Sequence, residues 1–421
     1  MKIKYALLFL SGLFYLNAQA QQNGPDSLLL SILRGKSEVM DTVLQHPEKY
    51  GVQILYTQID RDANNHPTFR SYRYRVNRKD YFYPASTVKL PAVLLALEKL
   101  NSLKKSGLTK YTTMLTDSAC CGQTAVNSDA SAQSFMPSLA HYIRKILVIS
   151  DNDAYNRLYE FLGQEYFNDA LRAKGYADVR IASRLSVGAS REQNRFTNPV
   201  RFVKNGKVVY KQSLVKSGRD YVASGPILIG KGEMKGDSLI RQPKDFAYAN
   251  SFPLEEQQAV LRAVLFPESV AKTQRFNLTA DDYRFLYQYM SQLPRETRYP
   301  VYDQPEHVDG YVKFLLFGDL KDTLIPSHIR IFNKVGDAYG FLTDNAYVVD
   351  FKNGVEFMLS ATIYVNENQI FNDDRYEYDT IGFPFLGNLG RVVYDYELTR
   401  KKKHKPVLDR LRLKYDISTA K

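Results

Sequence analysis

Apolar residues recur at helical spacing over 28–44, where Leu28, Leu29, Ile32, Leu33, Val39, Met40, Val43 and Leu44 fall on a common stripe. The period then shortens. Residues 51–59 and 69–76 alternate like two strands, with a turn-rich segment over 60–67 between them. An apolar helical run follows over 90–100, another over 139–148 that ends near Ser150, and a third over 154–162. Beyond 200 lies a basic stretch containing several glycines, then two clear helices over 254–265 and 280–293, each closed by a proline, Pro267 and Pro294. Strand-like segments at 329–334, 345–351 and 355–365 come next, with Asn353-Gly354 as a hairpin signal between the last two. A closing helix reads over 386–398. Strands at both ends with helices between them predict an α+β fold, an antiparallel sheet built from both chain ends, rather than an alternating βαβ array.

The first twenty residues read as an address. Lys2 and Lys4 precede a mostly apolar stretch over 5–16, and Ala18-Gln19-Ala20 offers a small-residue cleavage site before Gln21. A membrane span needs about 20 apolar residues, and neither this run nor any later one reaches that. We therefore expect a signal peptide at 1–20, an exported, periplasmic or secreted product, and one domain over 21–421 with no span.

Composition adds little to the fold and something to the chemistry. The 421 residues carry a net charge of +12, with 31 Tyr, 23 Phe and no Trp. Tyrosine buries its ring while its hydroxyl stays wet, so walls of mixed polarity are expected. The basic run over 401–405 reads as a solvated tail, and no nucleic-acid partner is expected. The six histidines show no ligand spacing, and Cys120-Cys121 lacks the count of a zinc site, so neither metal nor cofactor is predicted. The adjacent cysteines read as structural. Nothing in the sequence specifies an oligomeric state.

Three polar elements carry candidate chemistry. Ser86-Thr87-Val88-Lys89 places a hydroxyl in the first turn of a helix and an amine one turn later on the same face. A buried amine with a lowered pKa can take the hydroxyl proton as the oxygen attacks a carbonyl. The same S-x-x-K spacing recurs at Ser102/Lys105, Ser213/Lys216 and Ser269/Lys272, but only Ser86 opens a long apolar helix. Ser150-Asp151-Asn152 sits between two helical segments, where these residue types also serve as ordinary caps. Lys334-Val335-Gly336 lies on a strand, with a cation for a substrate carboxylate and a glycine that permits close approach.

Together and in this order the three elements resemble those of the penicillin-recognising serine hydrolases, most closely the class A β-lactamases with their S-x-x-K, S-D-N and K-T-G set. The resemblance covers roughly 45–200 and 305–400. The long separation between Ser150 and Lys334 makes 200–305 look like an insertion. The resemblance implies Ser86 as the acylated nucleophile, Lys89 as base and Ser150 as proton relay. It further implies Asn152 and Lys334 as substrate ligands, Gly336 for close approach, and the backbone N–H groups of Ser86 and Asp337 as the oxyanion hole. The implied substrate is a β-lactam or a cell-wall peptide.

Two departures stand out. Val335 replaces the family's Thr or Ser, which removes a hydroxyl for the substrate carboxylate, worth roughly 1.5–3 kcal/mol. The deacylating Glu of class A enzymes lies in a loop after S-D-N with an Asn four residues on. Here Glu192 is the candidate, with Asn194 only two residues on. With Glu192 working, the chain reads as an exported serine β-lactamase. Without it, the acyl-enzyme persists and a D-alanyl-D-alanine peptidase-like enzyme is expected. A non-catalytic cell-wall-peptide binding module is the third reading. Lys216-Ser217-Gly218 is a rival to Lys334, but no strand pair follows it.

Overall fold

The computed structural model describes residues 27–103, 107–120, 123–302 and 305–417. The expected leader, Lys105 and Cys121 lie outside this set.

Two helices, α1 (Ser27–Leu33) and α2 (Glu38–Gln45), replace the single helix expected over 28–44. Gly35 takes a left-handed φ of +70°, and Ser37 then caps α2 by accepting from the Met40 amide, so the apolar stripe is cut in two. Strands β1 (Gln53–Arg61) and β2 (Pro67–Tyr74) form the expected hairpin. Helix α3 (Lys89–Ser102) is apolar on every side and is buried accordingly, with Pro91 tolerated in its first turn. Strand β3 (Thr113–Thr116) follows. Then come helices α4 (Leu139–Ile149), α5 (Asn152–Leu162) and α6 (Gln164–Ala173), and the single turn α7 (Arg191–Asn194).

Strands β4 (Val200–Lys204) and β5 (Lys207–Gln212) join β3 in a small sheet that alternation in the sequence did not reveal. Short strands between 228 and 245 form two further small sheets, one of them completed by Ile370–Phe371. Helices α8 (Leu254–Leu265) and α9 (Ala280–Ser291) match their predicted positions. The chain closes with β6 (Ile329–Ala338), β7 (Phe341–Asp350), β8 (Val355–Tyr364) and helix α10 (Phe383–Thr399).

The main sheet is antiparallel throughout, in the order β6-β7-β8-β1-β2, so strands from both chain ends meet at the β8–β1 pair. Apolar side chains point to both of its faces. Along β7, Tyr347 and Val349 join one core while Ala346 and Val348 join the other. Leu261, Val264 and Met290 of α8 and α9 pack in the first core, together with Val93, Leu94 and Leu97 of α3. Leu29 and Leu33 of α1 and Phe385, Leu389 and Val393 of α10 fill the second. A sheet covered on both faces explains why its strands read as near-continuous apolar runs.

The region 200–305 is therefore of two kinds. Its first part makes the small sheets, whereas α8 is wedded to the main sheet. Gln258 donates to the Leu55 carbonyl at 3.0 Å and to Ser360 Oγ at 2.9 Å, and Asn345 donates to the Gln257 carbonyl at 2.8 Å. Strand β6 is left at the sheet edge, facing the turn that precedes α3.

Among the described residues, no helix is long and apolar enough to cross a membrane, and no group of side chains is arranged to hold a metal ion. Cys120 is disulfide-bonded rather than a free thiol.

Candidate active site

Three breaks in regular structure meet at one point. The first is a tight 3₁₀ turn, Ala85–Val88, that feeds α3. Ala85 sits at φ +44°, in the left-handed region that a Cβ disfavours. The turn is pinned by Thr87, whose amide and hydroxyl both donate to the Pro84 carbonyl, at 3.0 and 2.7 Å. This turn presents the half-buried Ser86, and Lys89 follows one turn later with no exposed surface.

The second break is the α4–α5 junction. Ser150 is the C-cap of α4, with φ +63° and ψ +35°, and Asp151 is the N-cap of α5, accepting from the Ala154 amide at 2.7 Å. Capping and site-building thus divide within one tripeptide. Asp151 serves the helix, and the left-handed turn directs Ser150 and Asn152 toward Lys89.

The third is the β6 edge. A Cβ on Gly336 would lie 2.5 Å from the Pro84 carbonyl oxygen, 2.9 Å from the Ser86 nitrogen and 3.0 Å from the Thr87 nitrogen. Only glycine lets the strand lie this close to the Ser86 turn.

The amine of Lys89 is the centre of the network. It lies 2.7 Å from Ser86 Oγ, 3.2 Å from Ser150 Oγ and 2.6 Å from Asn152 Oδ1, and also donates to the Ser150 carbonyl. Burial pushes its pKa down to about 7, against the opposing pull of Asp151 and Asp337. An amine that is half neutral near pH 7 can accept the Ser86 proton. Lys334, buried on β6, donates to Ser150 Oγ at 2.7 Å and to the Val335 carbonyl at 2.9 Å. Burial, and secondarily the neighbouring Lys89, hold its pKa well below the usual lysine value. Ser150 Oγ thus accepts from two amines, which leaves its own hydrogen available to a group in the cleft.

Ser86 opens onto two cavities. The larger, about 700 Å³, is lined by Ser150, Asn152, Val335 and Asp337 among others. The smaller, about 460 Å³, is walled by Tyr83, Tyr339, Tyr376 and Tyr378. Asp337 stands in both, exposed at the mouth but crowded by protein on its other sides. That crowding raises its carboxyl pKa above the usual range, against the pull of Lys334 and Lys89.

The structure therefore gathers seven of the eight predicted residues: Ser86, Lys89, Ser150, Asn152, Lys334, Gly336 and Asp337. Glu192 is the exception. It lies in α7, more than half exposed, and pairs with Arg195 at 2.9 Å and Lys216 at 3.1 Å. The Lys216 hydrogen bond leads in holding its carboxyl below the usual range, and it lines neither cavity beside Ser86. The physical reason is local. Ser190 and Gln193 close a capping box around α7, which fixes Glu192 on the outer face of that turn. Lys216, of the rival K-S-G, is spent on the same pair.

From the loop after α6, Leu185 and Ser186 line the smaller cavity, and Ser186, at φ +54°, accepts through its Oγ from Asn152 Nδ2 at 2.8 Å. Sequence reasoning missed it, since a lone loop serine carries no signal. It also missed the tyrosine wall, for which the high Tyr count was the only hint.

Residues 38–222 match the β-lactamase enzyme family. No curated protein matches the sequence. Among solved structures, a β-lactamase from Sphaerobacter thermophilus is 12% identical, with 89% of this chain and 98% of that one covered at a TM-score of 0.46. A class A β-lactamase from Clostridium kluyveri is 14% identical, covering 84% and 97% at 0.44. A β-lactamase from Streptomyces albus G is 12% identical, covering 87% and 99% at 0.45. At such identities these likenesses assign no residue a role.

Proposed function

We propose that the chain is a serine β-lactamase-like, exported hydrolase that opens a β-lactam amide through an acyl-enzyme at Ser86, a reading that the family match over residues 38–222 supports. The observation that carries this reading is the 2.7 Å contact between Ser86 Oγ and a fully buried amine whose pKa is about 7. Lys89 takes the hydroxyl proton as Oγ bonds to the carbonyl carbon. The backbone N–H groups of Ser86 and Asp337 stabilise the oxyanion, and one such donor is worth about 2.7–4 kcal/mol of barrier. As the C–N bond breaks, Ser150 passes its proton to the leaving nitrogen and is reprotonated from the lysine pair. Asn152 holds both Lys89 and the acyl portion of the substrate.

Release by water is the slow half. With Glu192 held outside the cleft and Ser186 beside Asn152, the loop after α6 offers the bound acyl group no carboxylate base. That observation favours a second reading, a peptidase-like enzyme acting on cell-wall peptides, in which β-lactams leave a long-lived adduct. Incubating the purified protein with a chromogenic cephalosporin and a labelled penicillin separates the two. A burst followed by little turnover, with label retained on the protein, is expected. Sustained turnover without retained label would mean that another group activates water. Neither label nor turnover would leave only the binding-module reading.

A further inference from the structure

The two cavities beside Ser86 are not equivalent. The leaving nitrogen must come within reach of the Ser150 hydroxyl, and Ser150 lines only the larger one. The leaving group therefore occupies the 700 Å³ cavity. That cavity is poorly suited to a carboxylate. Val335 lines it and has no hydroxyl to offer. The Lys334 amine is buried and engaged by Ser150 Oγ and the Val335 carbonyl, and Lys334 itself is not part of the cavity lining. Among the described residues, the charged ones that do line it are Glu306, Asp322, Asp337 and Asp379 against one cation, Lys321, which pairs with Asp379 at 3.0 Å. In a chain of net charge +12, this wall does not reflect the overall composition.

We propose that the cleft selects substrates whose leaving group is neutral or bears an ammonium and carries no carboxylate, and that Asp337 is the residue that sets this preference. The proposal rests on the Ser86 reading and narrows its substrate class. Asp337 is placed for the role because it stands at the mouth of both cavities, directly after Gly336, where the strand passes the Ser86 turn. An incoming carboxylate meets a like charge there, whereas an ammonium gains an opposite one.

The test uses a penicillin, the carboxamide made from its ring carboxylate, and an aminoethyl amide of the same acid. Equilibrium binding of each is measured with Ser86→Ala protein, and the rate of adduct formation with the unaltered enzyme. The amide and ammonium forms should bind at least about fivefold tighter than the parent acid. That gap should shrink in about 0.5 M salt and in Asp337→Asn. Asp322→Asn, at an exposed position, should narrow it in the same direction if the first variant folds poorly. Parent acid binding as well or better, no binding of any form, or a gap that both variants leave unchanged would overturn the proposal. The expected binding order with no adduct on the unaltered enzyme would instead sink the acyl-enzyme reading alone. Faster acylation by the parent acid would leave that reading standing and refute this one.

Discussion

Replacing Gly336 by alanine tests the meeting of strand and turn on which the site depends. Ordinary contact with a Cβ begins at 3.4 Å, and the new methyl would lie 2.5 Å from the Pro84 oxygen, so the two segments must part by about 0.9 Å. All three crowded atoms belong to the backbone, so no side chain can rotate away. The turn has little slack, because Ala85 is already held at φ +44° by the Pro84–Thr87 bonds. Overpacking of this kind costs about 1–3 kcal/mol of stability. A shift near 1 Å between nucleophile and oxyanion donors costs on the order of 100-fold in rate. The acylation rate constant, read by intact-mass kinetics with a β-lactam, should fall by roughly that factor while the melting temperature drops only modestly. Gly188→Ala, where a Cβ meets nothing within 4 Å, is the matched control and should change neither. Acylation at the unaltered rate in Gly336→Ala would show that the β6 edge does not help to form the site.

Three further outcomes are expected. Acylation should rise with pH through about 7 as Lys89 sheds its proton, running near one-tenth of its plateau at about pH 6; a flat profile over that window in stopped-flow measurements would exclude Lys89 as the base. Glu192→Gln should change turnover of a chromogenic cephalosporin by less than about twofold, since an exposed ion-paired group is lost; a loss of two decades would restore it as the deacylating residue. Ser186→Glu places a carboxylate beside Asn152 and should shorten the acyl-enzyme lifetime about tenfold or more, as followed by decay of the mass adduct; an unchanged lifetime would show that this position does not reach the attacking water.

The polar elements at the site were legible in sequence because each does two jobs. Ser86 was distinguishable from the other S-x-x-K serines by the apolar helix behind it, the feature that buries Lys89 and lowers its pKa. Ser150 and Asn152 stood out by their place between two helices and their order between the other two elements, since capping alone would account for such a tripeptide. Gly336 followed from its place on a strand. What stayed hidden depends on the path of the chain through space. Glu192 was chosen by order along the chain, but a capping box turned it outward. Ser186 reaches the cleft through a left-handed backbone conformation that no side-chain pattern announces. Strands β6 and β7 were read as two separate short segments. The two-residue turn Tyr339-Gly340, with both φ angles positive, joins them into one hairpin. The stripe over 28–44 kept its apolar face but lost its continuity at Gly35, a glycine whose weight the periodicity masked.

The proposed reaction requires Ser86 Oγ to be the atom that becomes acylated. Peptide mapping of the protein after exposure to a β-lactam addresses this directly, because Ser213 and Ser269 offer the same S-x-x-K spacing as internal rivals. The predicted result is one adduct, of the mass of the opened lactam, on the peptide that contains Ser86, and none in Ser86→Ala. An adduct on either rival serine, or one that survives in Ser86→Ala, would contradict it.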